Sequence, residues 1–207
     1  MFYVTYTFLT ITVLISYQGF KNPELIRLYS FNPYVMKEKG QSYRFITHAF
    51  LHADSTHLLF NMMSLFFVGR YLETVLVNYY GLITGEIHFL MIYFGGAVVG
   101  TVSSYIKNKD NPSYQSIGAS GAVSAAIFGF IIWMPNVDFY LFFAIPMKAF
   151  VFGFLFLGFE FFAMKRSTGR IAHDVHLISA LYGVVYILFI NFEKGIELLD
   201  LILRLNG

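Results

Sequence analysis

Residues 115–123 read Gln115-Ser116-Ile117-Gly118-Ala119-Ser120-Gly121-Ala122-Val123, and an apolar run continues from there to Trp133. A serine with glycines close by, at the start of a predicted helix, is either a small residue at which another helix packs closely or a nucleophile. Glycine lets another group approach closely, and a helix N-terminus leaves backbone N–H groups aimed at any developing negative charge. Small residues are also common where transmembrane helices touch. This stretch alone therefore leaves both interpretations open.

The composition is that of a membrane protein. Of the 207 residues, 57% are hydrophobic and 13% are charged, and the mean hydropathy is +0.62. A soluble domain usually carries about 25% charged residues. Residues 1–20 and 117–136 contain no charge, and a membrane span needs about 20 such residues. The net charge of +2 gives no reason to expect a nucleic-acid partner, and the absence of cysteine excludes disulfides and thiolate metal sites.

Six apolar segments predict an all-α membrane protein that forms a single domain over residues 1–207. They cover residues 2–19, 57–77, 87–106, 118–134, 147–164 and 174–191. Asn22-Pro23 should end the first helix, because proline disfavours helical geometry in the residue before it. The long connector 21–50 mixes cations with hydrophobic residues, which predicts a loop lying in the membrane interface. Residues 136–145 form an aromatic connector, and residues 196–205 predict a helix on the surface.

Stripes of small residues predict which helices touch. The third span carries Gly96, Gly100 and Ser104 at intervals of four, and the sixth carries His176, Ser179, Ala180 and Gly183. The fourth span carries Gly121 and Ala125 next to Ser120. Pairing the small faces of the fourth and sixth spans brings Ser120 within reach of His176. A hydroxyl and a base that can take its proton are what nucleophilic catalysis requires, and imidazole is the usual base near neutral pH.

A second polar pair lies in the second span, where His57 and Asn61 share one helix face. Ser55 or Thr56 would be a good N-cap for this helix. With the backbone N–H of Ser120, the imidazole and the amide would hold an oxyanion.

Charged residues inside the predicted spans are few. Glu160 is functional by default as an intramembrane carboxylate, although it lies close enough to the end of its span to reach the surface. Arg70 and Glu73 are three residues apart and predict an ion pair at the membrane edge. Asp174 is close to His176 in sequence but faces elsewhere on a helix. We therefore expect a serine–histidine pair without a third, orienting carboxylate.

Four motifs follow one another along the chain. They are Tyr43-Arg44-Phe45-Ile46-Thr47, then His52-Ala53-Asp54-Ser55-Thr56-His57-Leu58-Leu59-Phe60-Asn61, then Gly118-Ala119-Ser120-Gly121, and finally His176-Leu177-Ile178-Ser179-Ala180-Leu181-Tyr182-Gly183. Each is weak alone, but their combination and order are specific. Over nearly its whole length the chain resembles the rhomboid family of intramembrane serine proteases.

The resemblance implies a bundle of six transmembrane helices with a long, partly embedded first loop. It implies hydrolysis of peptide bonds in or near transmembrane segments of other membrane proteins, by a Ser–His dyad and an oxyanion hole. Its partners would be those substrates and membrane lipid, without any metal or cofactor. As a location we expect the bacterial inner (plasma) membrane. The implied site residues are the nucleophile Ser120 and the base His176, the oxyanion donors Asn61 and His57, Gly118 opening space beside the serine, and a supporting His52.

Two departures from the family pattern bear on the site. Ser179 stands where the family usually has a packing glycine, which would set the two helices slightly further apart. Ser124 stands where many members have an aromatic ring for the histidine to stack on, so another group must hold the imidazole. His173 is not expected to be the base, because the LxxAxxG pattern follows His176.

The family pattern and the distribution of cations predict opposite membrane orientations. An even number of spans puts both termini on one side, which the family pattern makes cytoplasmic. Only four cations would then lie inside, against ten outside, whereas cytoplasmic loops normally carry the excess. The ten are Lys21, Arg27, Lys37, Lys39, Arg44, Lys107, Lys109, Lys165, Arg166 and Arg170.

Two other classes of protein remain as alternatives. An inactive relative would bind transmembrane segments without cutting them, but such a protein normally lacks the serine or the histidine. A membrane di-iron oxygenase or desaturase would use clustered histidines as ligands. Few carboxylates accompany the histidines here, which argues against a two-metal site. The candidate ligands are His48, His52, His57, His173 and His176.

Overall fold

The computed structural model describes residues 4–141, 145–166 and 173–204. This part of the chain is mostly helical, and its longer helices coincide with the predicted spans. In chain order the elements are α1 (Val4–Lys21), α2 (Pro23–Tyr29), α3 (Pro33–Lys39), α4 (Arg44–Thr47), a 3₁₀ turn (His48–Phe50), α5 (Ser55–Ser64), a π-helical turn (Leu65–Gly69), α6 (Arg70–Tyr80), α7 (Leu82–Asn108), α8 (Ser120–Trp133), β1 (Asp138–Leu141), β2 (Ile145–Lys148), α9 (Ala149–Arg166), α10 (His173–Ile190) and α11 (Glu193–Arg204).

Two of the described helices, α7 and α10, are long and apolar enough to cross a membrane by length and composition. Helix α8 and residues 149–164 of α9 are apolar but shorter. Six membrane crossings thus stay a prediction. The orientation argument also remains untested, and one of its cations, Arg170, lies outside the described residues.

The connector 21–50 is built from short helices. Helix α1 ends at Lys21, as Asn22-Pro23 predicted. The side chains of Asn22 and Asn32 accept the N–H groups of Glu24 and Val35, so α2 and α3 are each capped by asparagine and begin at a proline. The buried guanidinium of Arg44 donates to the carbonyl oxygens of Arg27 and Ser30 and to the side chain of Gln41, which fixes the connector in place.

Small residues let α7, α8 and α10 pack with their backbones close together, as their spacing predicted. A Cβ atom at Gly96 would lie 2.3 Å from Cβ of Ala125, and one at Gly183 would lie 2.2 Å from the carbonyl oxygen of Ala125. A Cβ atom at Gly100 would lie 2.0 Å from Oγ of Ser179. Any larger side chain at these glycines would force the helices apart.

The all-α expectation was wrong for the connector 136–145. Strands β1 and β2 pair antiparallel there, with Asp138 opposite Lys148 and Leu141 opposite Ile145; residues 142–144 lie outside the described ranges. Aromatic residues suit a pleated, half-buried surface, and the Phe139 ring stacks on that of Phe130 in α8, with centroids 5.7 Å apart. The hairpin thus packs against the helix that precedes it.

The predicted interfacial pair of Arg70 and Glu73 was also wrong. Glu73 is fully buried, and its carboxylate accepts the N–H groups of Val4 and Thr5 in the first turn of α1. Val4 and Thr5 are the first described residues of α1, and N–H groups near a helix N-terminus attract negative charge. Arg70 lies over the ring of Tyr6, 6.0 Å from its centroid.

The predicted surface helix near residues 196–205 is confirmed in type. Helix α11 has no buried residue and is apolar along one side only, with exposed Leu199 and Leu203. Leu205, the end of the predicted segment, lies outside the described residues.

We predict that Gly183→Ala lowers the thermal unfolding midpoint in detergent, because overpacking of this kind costs about 1–3 kcal/mol. Gly158→Ala in α9 is the matched control, since nothing lies within 4 Å of the added Cβ atom. It should be neutral or stabilising by up to about 1 kcal/mol, as expected for glycine replaced by alanine in a helix. Equal midpoints for the two variants would contradict the close packing of α8 and α10.

Candidate active site

Ser120 and His176 meet between α8 and α10. Ser120 is the first residue of α8, and its Oγ lies 2.8 Å from Nε2 of His176, which belongs to the first turn of α10. Both residues are half-buried. The structure thus brings together the two residues for which the sequence predicted contact.

Ser179, at the position where the resemblance implied a glycine, leaves Ser120 and His176 in contact. It is fully buried, and its hydroxyl donates to the carbonyl oxygen of Gly96 at 2.9 Å. A Cβ atom at Gly121 would lie 3.0 Å from its Oγ. The serine finds its hydrogen-bond partner in α7, so it fits where a glycine was expected while Ser120 and His176 remain in contact.

The loop before Ser120 is held by backbone hydrogen bonds to the first connector. Phe31 and Ser116 exchange two such bonds of 2.9 Å, and the N–H of Gly118 donates to the carbonyl oxygen of His48 at 3.0 Å. The backbone of Gly118 has φ of 134°, a conformation that essentially only glycine adopts. These contacts determine where α8 begins, and therefore where the hydroxyl lies.

His52 contacts the backbone of the same loop. Its Nε2 accepts the N–H of Ala119 at 3.4 Å, which leaves Nδ1 as the protonated nitrogen. That nitrogen lies 2.9 Å from Oγ of Ser16 in α1, and the serine hydroxyl donates to the carbonyl oxygen of Phe50. A continuous chain of hydrogen bonds therefore connects α1 with the residue before Ser120.

His57 lies against Gly118, so the imidazole is close to the serine loop. A Cβ atom at Gly118 would lie 2.7 Å from Cε1 of His57, so the imidazole occupies space that any other residue at position 118 would need. Asn61 is buried one turn later, and its Nδ2 donates to the carbonyl oxygen of His57 at 3.1 Å. One of its two N–H bonds is directed at its own helix.

The helix that carries these residues is capped by Asp54, so the prediction of Ser55 or Thr56 was wrong. The backbone of Asp54 is extended, and its carboxylate accepts the N–H of His57 at 2.8 Å. Because Asp54 is the last residue before helical geometry begins, its side chain occupies the cap position. A negative charge there also favours the helix N-terminus.

The position of Glu160 contradicts the expectation of a serine–histidine pair without an orienting carboxylate. Its side chain is buried, with 4% of the residue exposed. One carboxylate oxygen lies 3.1 Å from Nδ1 of His176, and the other lies 2.6 Å from Nδ1 of His173. Asp174 is engaged elsewhere, by Lys107 at 2.8 Å and by a serine of α7. The carboxylate comes from α9, the fifth apolar segment, and not from the helix that carries the histidine.

The same contact shows what holds the imidazole where Ser124 replaces the expected aromatic ring. Ser124 is buried, while Glu160 holds His176 from the Nδ1 side. His173 contacts this carboxylate instead of Ser120, in agreement with its exclusion as the base.

Glu160, His173 and His176 are also the candidate metal ligands of the described chain. One ligand atom from each lies within 4.8 Å of the others, and this is the one group of three or more such residues in the parts of the chain that the structure describes. Both nitrogens of His52 already have partners, and Nδ1 of His88 contacts the hydroxyl of Tyr186 at 3.0 Å. Within the described ranges, no second group of such ligands accompanies Glu160, His173 and His176.

The described part of the chain is thus a bundle of apolar helices with a serine–histidine contact between two of them. The chain belongs to the rhomboid family: the Rhomboid domain model matches residues 39–191.

Named relatives agree with this assignment. The chain is 37% identical over 95 residues to the "Putative rhomboid protease YdcA" of Bacillus subtilis, over 46% of this chain and 42% of that protein. It is 28% identical over 173 residues to "RHOMBOID-like protein 12, mitochondrial" of Arabidopsis thaliana, a match that covers 76% of this chain and 48% of that protein. It is 26% identical over 111 residues to the "Rhomboid protease GlpG" of Haemophilus influenzae, a match that covers 53% of this chain and 50% of that protein. The match spans half or less of the length of each of these relatives.

We predict that Gly118→Ala destabilises the protein by more than Gly40→Ala, as measured by thermal unfolding in detergent. Both glycines have positive φ, but nothing lies within 4 Å of a Cβ atom at Gly40. Left-handed backbone costs an ordinary residue about 1–2 kcal/mol, and only Gly118 adds a collision with His57. A smaller effect at Gly118 would contradict the described loop.

Proposed function

We propose that this protein is an intramembrane serine protease that hydrolyses peptide bonds in or near transmembrane segments of membrane proteins. The observation that carries the proposal is the 2.8 Å contact between Oγ of Ser120 and Nε2 of His176. Membership of the rhomboid family and the protease names of several relatives support the reaction class.

Ser120 acts as the nucleophile and His176 as the base. As Oγ forms a bond to the scissile carbonyl carbon, its proton passes to Nε2 of His176 and the carbonyl oxygen becomes an oxyanion. The imidazolium then gives this proton to the leaving nitrogen as the carbon–nitrogen bond breaks, which leaves an acyl-enzyme. A water molecule then attacks the acyl-enzyme, giving its proton to His176, and the proton passes to Oγ of Ser120 as the second product leaves. These steps require no metal or cofactor.

The oxyanion is held at the N-terminus of α8. The backbone N–H of Ser120 is one of the first N–H groups of this helix, which have no partner within it. His57 lies against Gly118 at the same place. Asn61 has a second N–H bond besides the one directed at its own helix, and in this proposal that bond points to the oxyanion.

In the membrane, α1, the continuous helix α5–α6, α7, α8, α9 and α10 make the six crossings, and the connector 21–50 lies partly in the interface. Large apolar side chains on the outside of these helices support contact with lipid, since a soluble protein rarely exposes so many together. Examples are Phe189, which is 85% exposed, Ile83 and Phe159. The location would be the plasma membrane of a bacterium.

Ser120→Ala and His176→Ala should each abolish cleavage of a transmembrane substrate reconstituted with the protein. The double variant should be hardly worse than either single one, because a nucleophile and its base act as a unit. Ser113→Ala, in the exposed loop before the site, is the control and should cleave normally. Labelling with a fluorophosphonate should likewise require Ser120, and a chelator should not slow the wild-type enzyme. Cleavage that persists in Ser120→Ala would end the proposal.

Asn61→Ala should lower kcat by about 10²–10³-fold, the loss expected for one of several oxyanion donors. Asn78→Ala changes the same residue type at an exposed position of α6 and should cleave at the wild-type rate. Steady-state kinetics on both variants make the comparison. A loss in Asn61→Ala no greater than in Asn78→Ala would remove Asn61 from the oxyanion site.

A further inference from the structure

We propose that Glu160 is a positioning residue for the reaction, which holds His176 in the tautomer and orientation that accept the proton of Ser120. The inference rests on the proposed function, since it assigns a partner to the proposed base. It adds a carboxylate from α9 to residues carried by α8 and α10.

The hydrogen-bonding capacity of the three side chains determines the direction of each bond. An ionised carboxylate only accepts hydrogen bonds. Glu160 contacts Nδ1 of His176 with one oxygen and Nδ1 of His173 with the other, so both nitrogens must carry hydrogen. A neutral His176 with hydrogen on Nδ1 has its lone pair on Nε2, the nitrogen that lies 2.8 Å from Oγ of Ser120. The carboxylate thereby prepares His176 to act as a base.

Burial makes a purely structural explanation of Glu160 unconvincing. Moving a carboxylate out of water costs several kcal/mol, and apolar residues of similar size often replace buried ion pairs without loss of stability. The residues on either side of Glu160 along α9 are exposed phenylalanines, so the one buried charge stands in an otherwise apolar stretch of the helix. His173 provides a second N–H group for the carboxylate, so the charge is held in one orientation.

The carboxylate also acts while the proton is transferred. When Nε2 of His176 takes the proton of Ser120, the imidazole becomes a cation whose Nδ1–H remains bonded to Glu160. The negative charge of the carboxylate stabilises this cation, and Glu160 itself stays ionised. The proton taken from Ser120 later leaves with the amine. No additional reactant is consumed.

Glu160→Gln is the test, because the amide has almost the same shape but carries no charge and can accept only on one side. We expect kcat to fall by about 10²–10⁴-fold, the range of a general acid–base contribution, while KM stays within about twofold. The rate of fluorophosphonate labelling at Ser120 should fall with kcat. Glu160→Asp, which keeps the charge, should recover part of the rate, and His173→Ala should lose less than Glu160→Gln.

Glu197→Gln is the matched control, since it makes the same change at an exposed residue of α11 that pairs with Lys194. It should leave kcat unchanged. Glu160→Gln within about twofold of wild type, with Ser120→Ala inactive, would overturn the role of Glu160 and leave the proposed function intact. Cleavage by Ser120→Ala would instead overturn both.

A measurement on the unmutated protein keeps the inference testable if Glu160→Gln fails to fold. Nitrogen NMR of ring-labelled histidine, assigned by comparison with His176→Ala, reports which ring nitrogen carries hydrogen. Hydrogen on Nδ1 of His176 in the resting protein is the expected result, and hydrogen on Nε2 alone would overturn the inference. A stoichiometric metal ion bound to the purified protein and lost in Glu160→Gln would also overturn it, in favour of a metal centre.

Discussion

Helices α8 and α10 can bring a hydroxyl and an imidazole into contact only if their backbones run close together, and that approach depends on the absence of large side chains between them. A Cβ atom at Gly183 would lie 2.2 Å from the carbonyl oxygen of Ala125, and one at Gly121 of α8 would lie 3.0 Å from Oγ of Ser179 in α10. Without a hydrophobic driving force between helices in lipid, association depends on such packing and on hydrogen bonds. The position of His176 over Ser120 is therefore a consequence of residues that perform no chemistry.

The polar groups around the site form two separate networks. On one side, His52 connects Ser16 of α1 to the N–H of Ala119, and so holds the loop that presents the serine. On the other, Glu160 of α9 connects His173 with His176. Buried polar groups are costly unless they are bonded, and in both networks each named side chain has a partner. The hydroxyl and the imidazole are thus each supported from a different helix.

The sequence predicted much of this arrangement, and its failures have physical causes. Stripes of small residues indicate which faces pack, so the contact of Ser120 with His176 followed from spacing. Helix α9 is apolar all round, which leaves no periodic pattern to show that Glu160 faces inward. The partners of Glu73 are backbone N–H groups, which no side-chain pattern records. At the start of α5, three adjacent residues were all suitable caps, and only backbone geometry selects Asp54.

The hydrogen bonds made by α1 extend the framework around the serine beyond the range that matches the family model. Residues 39–191 match the family, yet Ser16 lies outside that range and is the group against which His52 is oriented. The start of the same helix is attached to α6 through Glu73. A fragment trimmed to the matched range would keep the serine and the histidine but would lose the outer end of the chain of bonds beneath them. The hydrogen-bonded framework beneath the serine is consequently larger than the segment by which the family is recognised.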